Sequence, residues 1–284
     1  MQNERIRIGS RGSKLAVWQA NFIKHQLEKF DPSLNVEIHI IETTGDQSSE
    51  AIRTLGGKGV FIKEIEQALI EKSIDLAVHS FKDITARSDA RLKFCGFLLN
   101  ERVTDAFILF NHTSIQNQPL NLATGSLRRV ALCQYLYPNI TCHPIRGNID
   151  TRIQKSKDLN YDGLILSTAG LQRLNYDNLI TIEPDPLKFI PAPGQGIIAL
   201  QTRHDDLQLA NHCTSICSKE DVRLGGAYYQ FLKGIEFNCN LPLGALIDGS
   251  VFHVFLDSNE PRYFKFQLSD LDTAIDTIKG AVID

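Results

Sequence analysis

Cysteine is sparse in this chain of 284 residues: there are six, at positions 95, 133, 142, 213, 217 and 239. They are too scattered for a secreted disulfide scaffold, so reduced thiols are expected. Cys213 and Cys217 lie four apart beside His212. No second ligand pair follows at zinc-site spacing, so two thiols on one helix face are expected and no metal. No apolar run approaches the ~18 residues of a membrane span, and residues 1–10 lack the apolar stretch of an export signal. A cytoplasmic protein without membrane contact is expected. A basic excess is missing too, since the formal net charge is -3, which argues against nucleic acid as a partner. Low-complexity segments are absent. With 43% hydrophobic and 22% charged residues, the composition is that of an ordinary globular protein.

What is present is strand–helix alternation. Residues 5–9 alternate like a strand, and from Ser13 the positions Leu15, Trp18, Phe22, Ile23, Leu27 and Phe30 recur at helical spacing. Ser13 has the chemistry of an N-cap. A strand over 36–42, a glycine-rich loop, a helix over about 61–72 and a strand over 76–79 follow. The rhythm resumes with strands over 106–110, 141–145 and 163–167 and helices over about 127–137 and 151–157, which predicts parallel sheets flanked by helices. After the loop holding Pro191, Pro193, Gly194 and Gly196 comes a strand over 197–200. The last part has short runs at 245–247, 251–256 and 263–268 bounded by turn residues, which read as an antiparallel sheet. A helical stripe follows, opened by Ser269 and Asp272 in capping-box spacing. The fold class is therefore α/β, with a small C-terminal α+β domain.

Two segments share a design. Gly9-Ser10-Arg11-Gly12-Ser13-Lys14 and Thr124-Gly125-Ser126-Leu127-Arg128-Arg129 each run from a polar loop into a helix. Free N–H groups, a hydroxyl and an arginine there make a cradle for carboxylate or phosphate. Either serine alone could simply cap its helix beside a solvated arginine, but the recurrence favours a function. Arg146, Gly147 and Arg152 follow one predicted strand and Arg173 another, and ligands of open α/β sheets bind at such strand ends. These arginines are expected to share one cleft that holds several carboxylates, although each alone could form a surface ion pair. Gly56-Gly57-Lys58-Gly59 is not a nucleotide-binding loop, because it lacks the preceding glycine and the following Ser/Thr. It is either a flexible loop bringing Lys58 to an anion or a plain turn. Asp83 follows the strand over 76–79, with Lys82 beside it, and is the expected catalytic carboxylate. In a positively charged cleft its work would be to stabilise a developing cation or to guide protons, and the simpler alternative is a turn cap.

Together these segments resemble the hydroxymethylbilane synthase family, also called porphobilinogen deaminase, over nearly the whole chain. The resemblance rests on seven stretches in order: 10–16, 56–64, 77–83 (Ala-Val-His-Ser-Phe-Lys-Asp), 126–129 (Ser-Leu-Arg-Arg), 146–148 (Arg-Gly-Asn), 191–196 (Pro-Ala-Pro-Gly-Gln-Gly) and 238–244. It implies the joining of four porphobilinogen molecules head to tail, with loss of ammonia, to give the linear tetrapyrrole of porphyrin and heme biosynthesis. It also implies a dipyrromethane cofactor, bound covalently through Cys239, and a monomer built from two lobes like those of periplasmic binding proteins. The first lobe would be 1–98 with 196–216, the second 99–195, and a third small domain 217–284. By position, Asp83 would stabilise the cation formed as ammonia leaves. Lys82, Ser126, Arg128, Arg129, Arg146, Gly147 and Arg152 would hold the cofactor, and Arg11, Ser13, Lys58, Arg173 and Gln195 the substrate. The chain departs from the family where Phe237 and Asn238 stand in place of two glycines, and where Gly125 stands in place of a serine. A homologue without turnover, or a two-lobed small-anion binding module, are the competing expectations.

Overall fold

The computed structural model describes residues 5–44, 62–86, 88–99, 102–116, 118–237 and 241–283. The chain divides into two compact units, Met1–Leu99 with Ile197–Asn238, and Asn100–Gly196 with Cys239–Asp284.

The first unit is built on a five-stranded sheet in the order β2-β1-β3-β9-β4. Its strands are β1 (Arg5–Ser10), β2 (Asn35–Ile40), β3 (Leu76–Ser80), β4 (Leu92–Leu98) and β9 (Ile198–Arg203). The first three run parallel, whereas β9 lies antiparallel to both of its neighbours. Helices cover both faces, so β3 is buried along nearly its whole length and opens with the apolar run Leu76-Ala77-Val78. On one face, Leu76 and Val78 meet Ala20, Ile23 and Leu27 of α1 (Lys14–Phe30) and Leu209 and Cys213 of α6 (Leu207–Ser215). On the other, Ala77 meets Ile65 and Leu69 of α2 (Lys63–Ile70). The helix α7 (Lys219–Gly234) starts at a capping box of Ser218 and Asp221 and lies on β4. Gly225 makes that approach feasible, because a Cβ there would stand 2.3 Å from Cγ of Phe97.

The second unit has a four-stranded sheet in the order β5-β8-β6-β7, from β5 (Asp105–Leu109), β6 (Leu120–Ala123), β7 (Ile140–His143) and β8 (Gly163–Ser167). Here β5 is the antiparallel member. Its helices are α3 (Leu127–Leu136), α4 (Ile149–Asp158) and α5 (Thr168–Arg173). The antiparallel meander β10 (Leu243–Asp248), β11 (Val251–Asp257) and β12 (Pro261–Gln267) precedes α8 (Leu271–Ile283). Leu246 and Phe255 of the meander join Phe107, Leu132 and Phe189 in one core.

The α/β class and the C-terminal antiparallel sheet are as expected, with one antiparallel strand in each of the two larger sheets. The three-part division differs from the observed units. Residues 217–237 pack with the first unit through α7, and the meander packs with the second. At the start of α8, the Ser269 hydroxyl donates to Asp270 Oδ1 at 3.2 Å. No helix among the described residues is long and apolar enough to cross a membrane.

Candidate active site

In the first unit, β1 and β3 deliver the two charged groups that the sequence singled out. Beyond β1 the chain passes through Arg11 and enters α1 at Ser13, whose hydroxyl accepts from the Ala16 N–H at 3.3 Å. Ser13 thus caps the helix. Beyond β3 a single 3-10 turn, Phe81–Asp83, carries Lys82 and Asp83. Arg11 Nη1 stands 3.9 Å from Asp83 Oδ2, and the two side chains retain 19% and 34% of their exposure. The carboxylate is therefore both reachable and beside a cation. Lys82 is half-buried on the same turn.

Side chains behind the turn fix its course. Phe81 is fully buried, packs on Phe97 and Tyr228, and donates its N–H to Ile197 O at 2.9 Å. Ser80 and the buried Gln19 of α1 exchange hydrogen bonds at 3.0 Å. His79 is buried against Gln201 at 3.0 Å, and burial pushes its pKa down to about 4, so the ring is neutral near pH 7. The sequence gives no signal for Gln19 or Gln201 beyond their lying in apolar stretches.

In the second unit, Ser126 caps α3 through the Arg129 N–H at 3.4 Å. Arg128 and Arg129 are 4% and 5% exposed and turn inward onto Asp105, which is fully buried at the start of β5. Arg128 Nη1 reaches Asp105 Oδ2 at 2.7 Å and Ile190 O at 2.7 Å. Arg129 Nε and Nη2 reach Asp105 Oδ1 at 2.9 and 2.6 Å. Gln195 Nε2 donates to Val103 O, Thr104 O and Asp105 Oδ1 at 2.8, 3.0 and 3.2 Å. Burial by itself would raise the Asp105 carboxyl, but the two guanidinium charges and their hydrogen bonds outweigh it and hold the pKa at about 2.

This cluster changes what the sequence suggested. Arg128 and Arg129 are not two open forks, because one carboxylate engages both. Gln195 braces that carboxylate within the same unit. Asp105 was missed as a functional group. The available signal was an acidic residue opening a strand whose every residue is buried, where a charge persists only if paired. Two arginines against one aspartate still leave a net positive charge, and Arg128 Nε has no hydrogen-bond partner among the described residues. A group bearing carboxylates fits that surplus.

Of the remaining arginines, Arg146 lies beside Gly125, where an added Cβ would stand 3.9 Å from its Nε. Arg146 is exposed, and Arg152 Nε donates to Gly147 O at 2.6 Å. Gly147 has φ +124, a region open mainly to glycine. Arg173 Nη2 donates to Gly196 O at 2.5 Å, and burial lowers its pKa to about 10. At Gly125 a Cβ would stand 2.6 Å from Ile145 O, so the serine usual in the resembled family would crowd this backbone. Lys58 and Cys239 lie outside the described residues. Just before Cys239, the left-handed backbone falls on Glu236 (φ 52) and Phe237 is spared it. Cys217 lies beyond the end of α6, with its thiol on Cys213 O at 3.1 Å. No metal-binding group of His, Cys, Asp or Glu occurs among the described residues.

A reachable carboxylate at a parallel strand end, beside an arginine, and a second α/β unit with surplus guanidinium charge define an enzyme class that handles small acidic molecules. Residues 6–211 match the family model described as porphobilinogen deaminase, dipyromethane cofactor binding domain. The porphobilinogen deaminase of Rickettsia prowazekii (strain Madrid E) is 39% identical over 275 residues, covering 94% of this chain and 88% of its own. That of Ehrlichia canis (strain Jake) is 41% identical over 245 residues, covering 85% and 82%. The chain belongs to the porphobilinogen deaminase family. Among solved structures, the methionine binding protein MetQ matches 80% of this chain and 95% of its own at 13% identity and a TM-score of 0.48.

Proposed function

We propose that Asp83 is the catalytic carboxylate of this enzyme, and that the chain joins four porphobilinogen molecules head to tail, releasing ammonia at each step, to give hydroxymethylbilane for porphyrin and heme synthesis. The observation that carries this reading is the pairing of Asp83 with Arg11 at a solvent-reachable strand end. A positive charge develops on the substrate as ammonia leaves, and an oriented carboxylate stabilises it without having to reorganise. Arg11 meanwhile pairs with Asp83 and adds a positive charge that attracts a substrate carboxylate. Ser13, Lys58, Arg173 and Gln195 complete the substrate contacts.

Porphobilinogen carries an acetate and a propionate, so each added ring needs cations at its edge. Lys82, Ser126, Arg128, Arg129, Arg146, Gly147 and Arg152 are the residues that would hold the carboxylates of the dipyrromethane cofactor. When bound, that group supplies the anchor on which the product chain grows. Asp105 neutralises one of the two arginine charges on α3, so the pair can be buried without ligand while keeping a net attraction for one. Cys239 carries the thioether. The protein works in the cytoplasm as a monomer.

Intact mass, measured before and after incubation with porphobilinogen, tests the reading. The purified protein is expected to carry a mass excess of two pyrrole units that is missing in Cys239→Ser. A bare protein that never gains pyrroles would leave the fold without the activity.

A further inference from the structure

His79 precedes the turn of Asp83 by one residue of strand and shares a face of β3 with Ala77. It is 5% exposed and stands edge-on to Phe94, with ring centroids 6.3 Å apart. Its Nε2 lies 3.0 Å from Gln201 Oε1 on β9. Gln201 is itself fully buried. The Gln201 amide nitrogen donates to Glu66 Oε1 on α2 at 2.7 Å and to Ser88 Oγ at 2.8 Å. Ser88 Oγ donates to the same Glu66 oxygen at 2.8 Å. With both amide hydrogens committed, the amide oxygen is left to face the ring, so His79 must donate from Nε2. The neutral ring is therefore the Nε2–H tautomer.

A satisfied polar chain of this kind fixes one arrangement where apolar side chains would tolerate several. Here it fixes register. His79 pairs with Ala199 and Gln201 with Ala77, so the hydrogen bond runs diagonally across the antiparallel pair. A slip of one residue would carry His79 to the opposite face of the sheet. Burial dominates the charge state of the ring, while Asp83 and Arg11 act on it in opposite senses, which places it within electrostatic reach of both.

We propose that His79 is a positioning residue for the reaction: its bond to Gln201, braced by Glu66 and Ser88, locks the end of β3 against β9 and α2 so that Asp83 leaves the sheet in one geometry. The inference rests on the reading of Asp83 as the reacting carboxylate. His79 touches no reacting atom, so its effect belongs in turnover and not in substrate affinity. A displacement of a catalytic group by about 1 Å can cost on the order of 100-fold in rate.

The test compares His79→Leu with His79→Gln in the cofactor-bearing enzyme. His79→Leu keeps the bulk and loses the donor, whereas the amide of glutamine reaches as Nε2 does. Expected in His79→Leu is a fall in kcat of about 10- to 100-fold, with KM within about twofold and dipyrromethane content and melting temperature close to the parent's. His79→Gln should recover most of the rate. Should His79→Leu fail to fold, the double variant Glu66→Ala with Ser88→Ala, at part-exposed positions, reads the same split. Parent-like kcat in the variants, or a loss of kcat that merely follows lost cofactor or stability without rescue by glutamine, overturns the proposal. Asp83→Asn, measured alongside, separates the two readings. An inactive Asp83→Asn with parent-like His79→Leu removes the positioning role alone, while near-normal turnover in Asp83→Asn removes the role of Asp83 and this inference with it.

Discussion

Asp105 is the residue on which the second unit's charge balance turns, because a fully buried carboxylate between two buried guanidiniums can neither be neutralised nor removed cheaply. Replacing it by asparagine leaves Arg128 and Arg129 facing each other in the core. Losing one partner of a buried ionic group costs about 3–5 kcal/mol, and Asp105→Asn should lower the stability measured by urea unfolding by that order. Its pKa of about 2 in the folded protein lies below the unfolded value of about 4. Between those values the unfolded chain binds more protons. Stability owed to Asp105 is therefore complete above about pH 4, is lost as the pH falls toward 2, and amounts to on the order of 2 kcal/mol. Urea titrations of parent and Asp105→Asn across this window should show a steeper decline in the parent. Parallel declines would mean that Asp105 is not held ionised by the two arginines.

At the scale of elements, most of the fold was legible wherever apolar period and end signals agreed. The spacing from Leu15 to Phe30 and the Ser13 cap locate α1, and the strand over 163–167 appears at its expected position. What the sequence could not convey was pairing between distant segments: β9 enters the first sheet between β3 and β4, about a hundred residues after β4. The strands β4 and β6 and the helix α7 escaped notice because their apolar residues are interrupted by Lys93, Asn121 and a Gly225-Gly226 pair. In the candidate site, the residues on polar loops were legible by type and spacing. Asp105, Gln19 and Gln201 were not, since a buried polar residue has meaning only through partners distant in sequence. The glycine pair in α7 permits a sharp test. Exchanging a mid-helix glycine for alanine favours the helix by about 1 kcal/mol. Gly226 has nothing within 4 Å of an added Cβ, so Gly226→Ala should raise the melting temperature. At Gly225 the same methyl would stand 2.3 Å from Phe97, and overpacking of a core typically costs about 1–3 kcal/mol. Gly225→Ala should therefore be destabilising, and because Phe97 supports Phe81 it should also lower turnover through the Asp83 turn. Equal shifts in the two variants would contradict the close packing of α7 on β4.

At the scale of the whole molecule, the order of the chain and the order of its structure do not coincide, and this bears on how the protein can be cut. The first unit is left at Leu99 and resumed at Ile197, and the returning strand β9 bonds along its length to both β3 and β4. The second unit is likewise finished only by the meander, whose Leu246 and Phe255 complete a core begun by Phe107 and Leu132. A fragment ending at Gly196 would contain Asp83 and the arginines of both units, and in a reading by motif it would hold nearly the whole site. Structurally it would lack β9, α6 and α7 of one unit and the meander of the other. The edges of β3 and β4 would then lie open, which invites association between chains, and two apolar cores would be uncovered. Such a fragment is expected to keep helical far-UV circular dichroism, to lose the near-UV signal of fixed aromatic packing, and to unfold in urea without a cooperative transition. A sharp transition with a slope proportionate to its length would mean that the first 196 residues fold without the rest, and that β9 completes a sheet that is already stable.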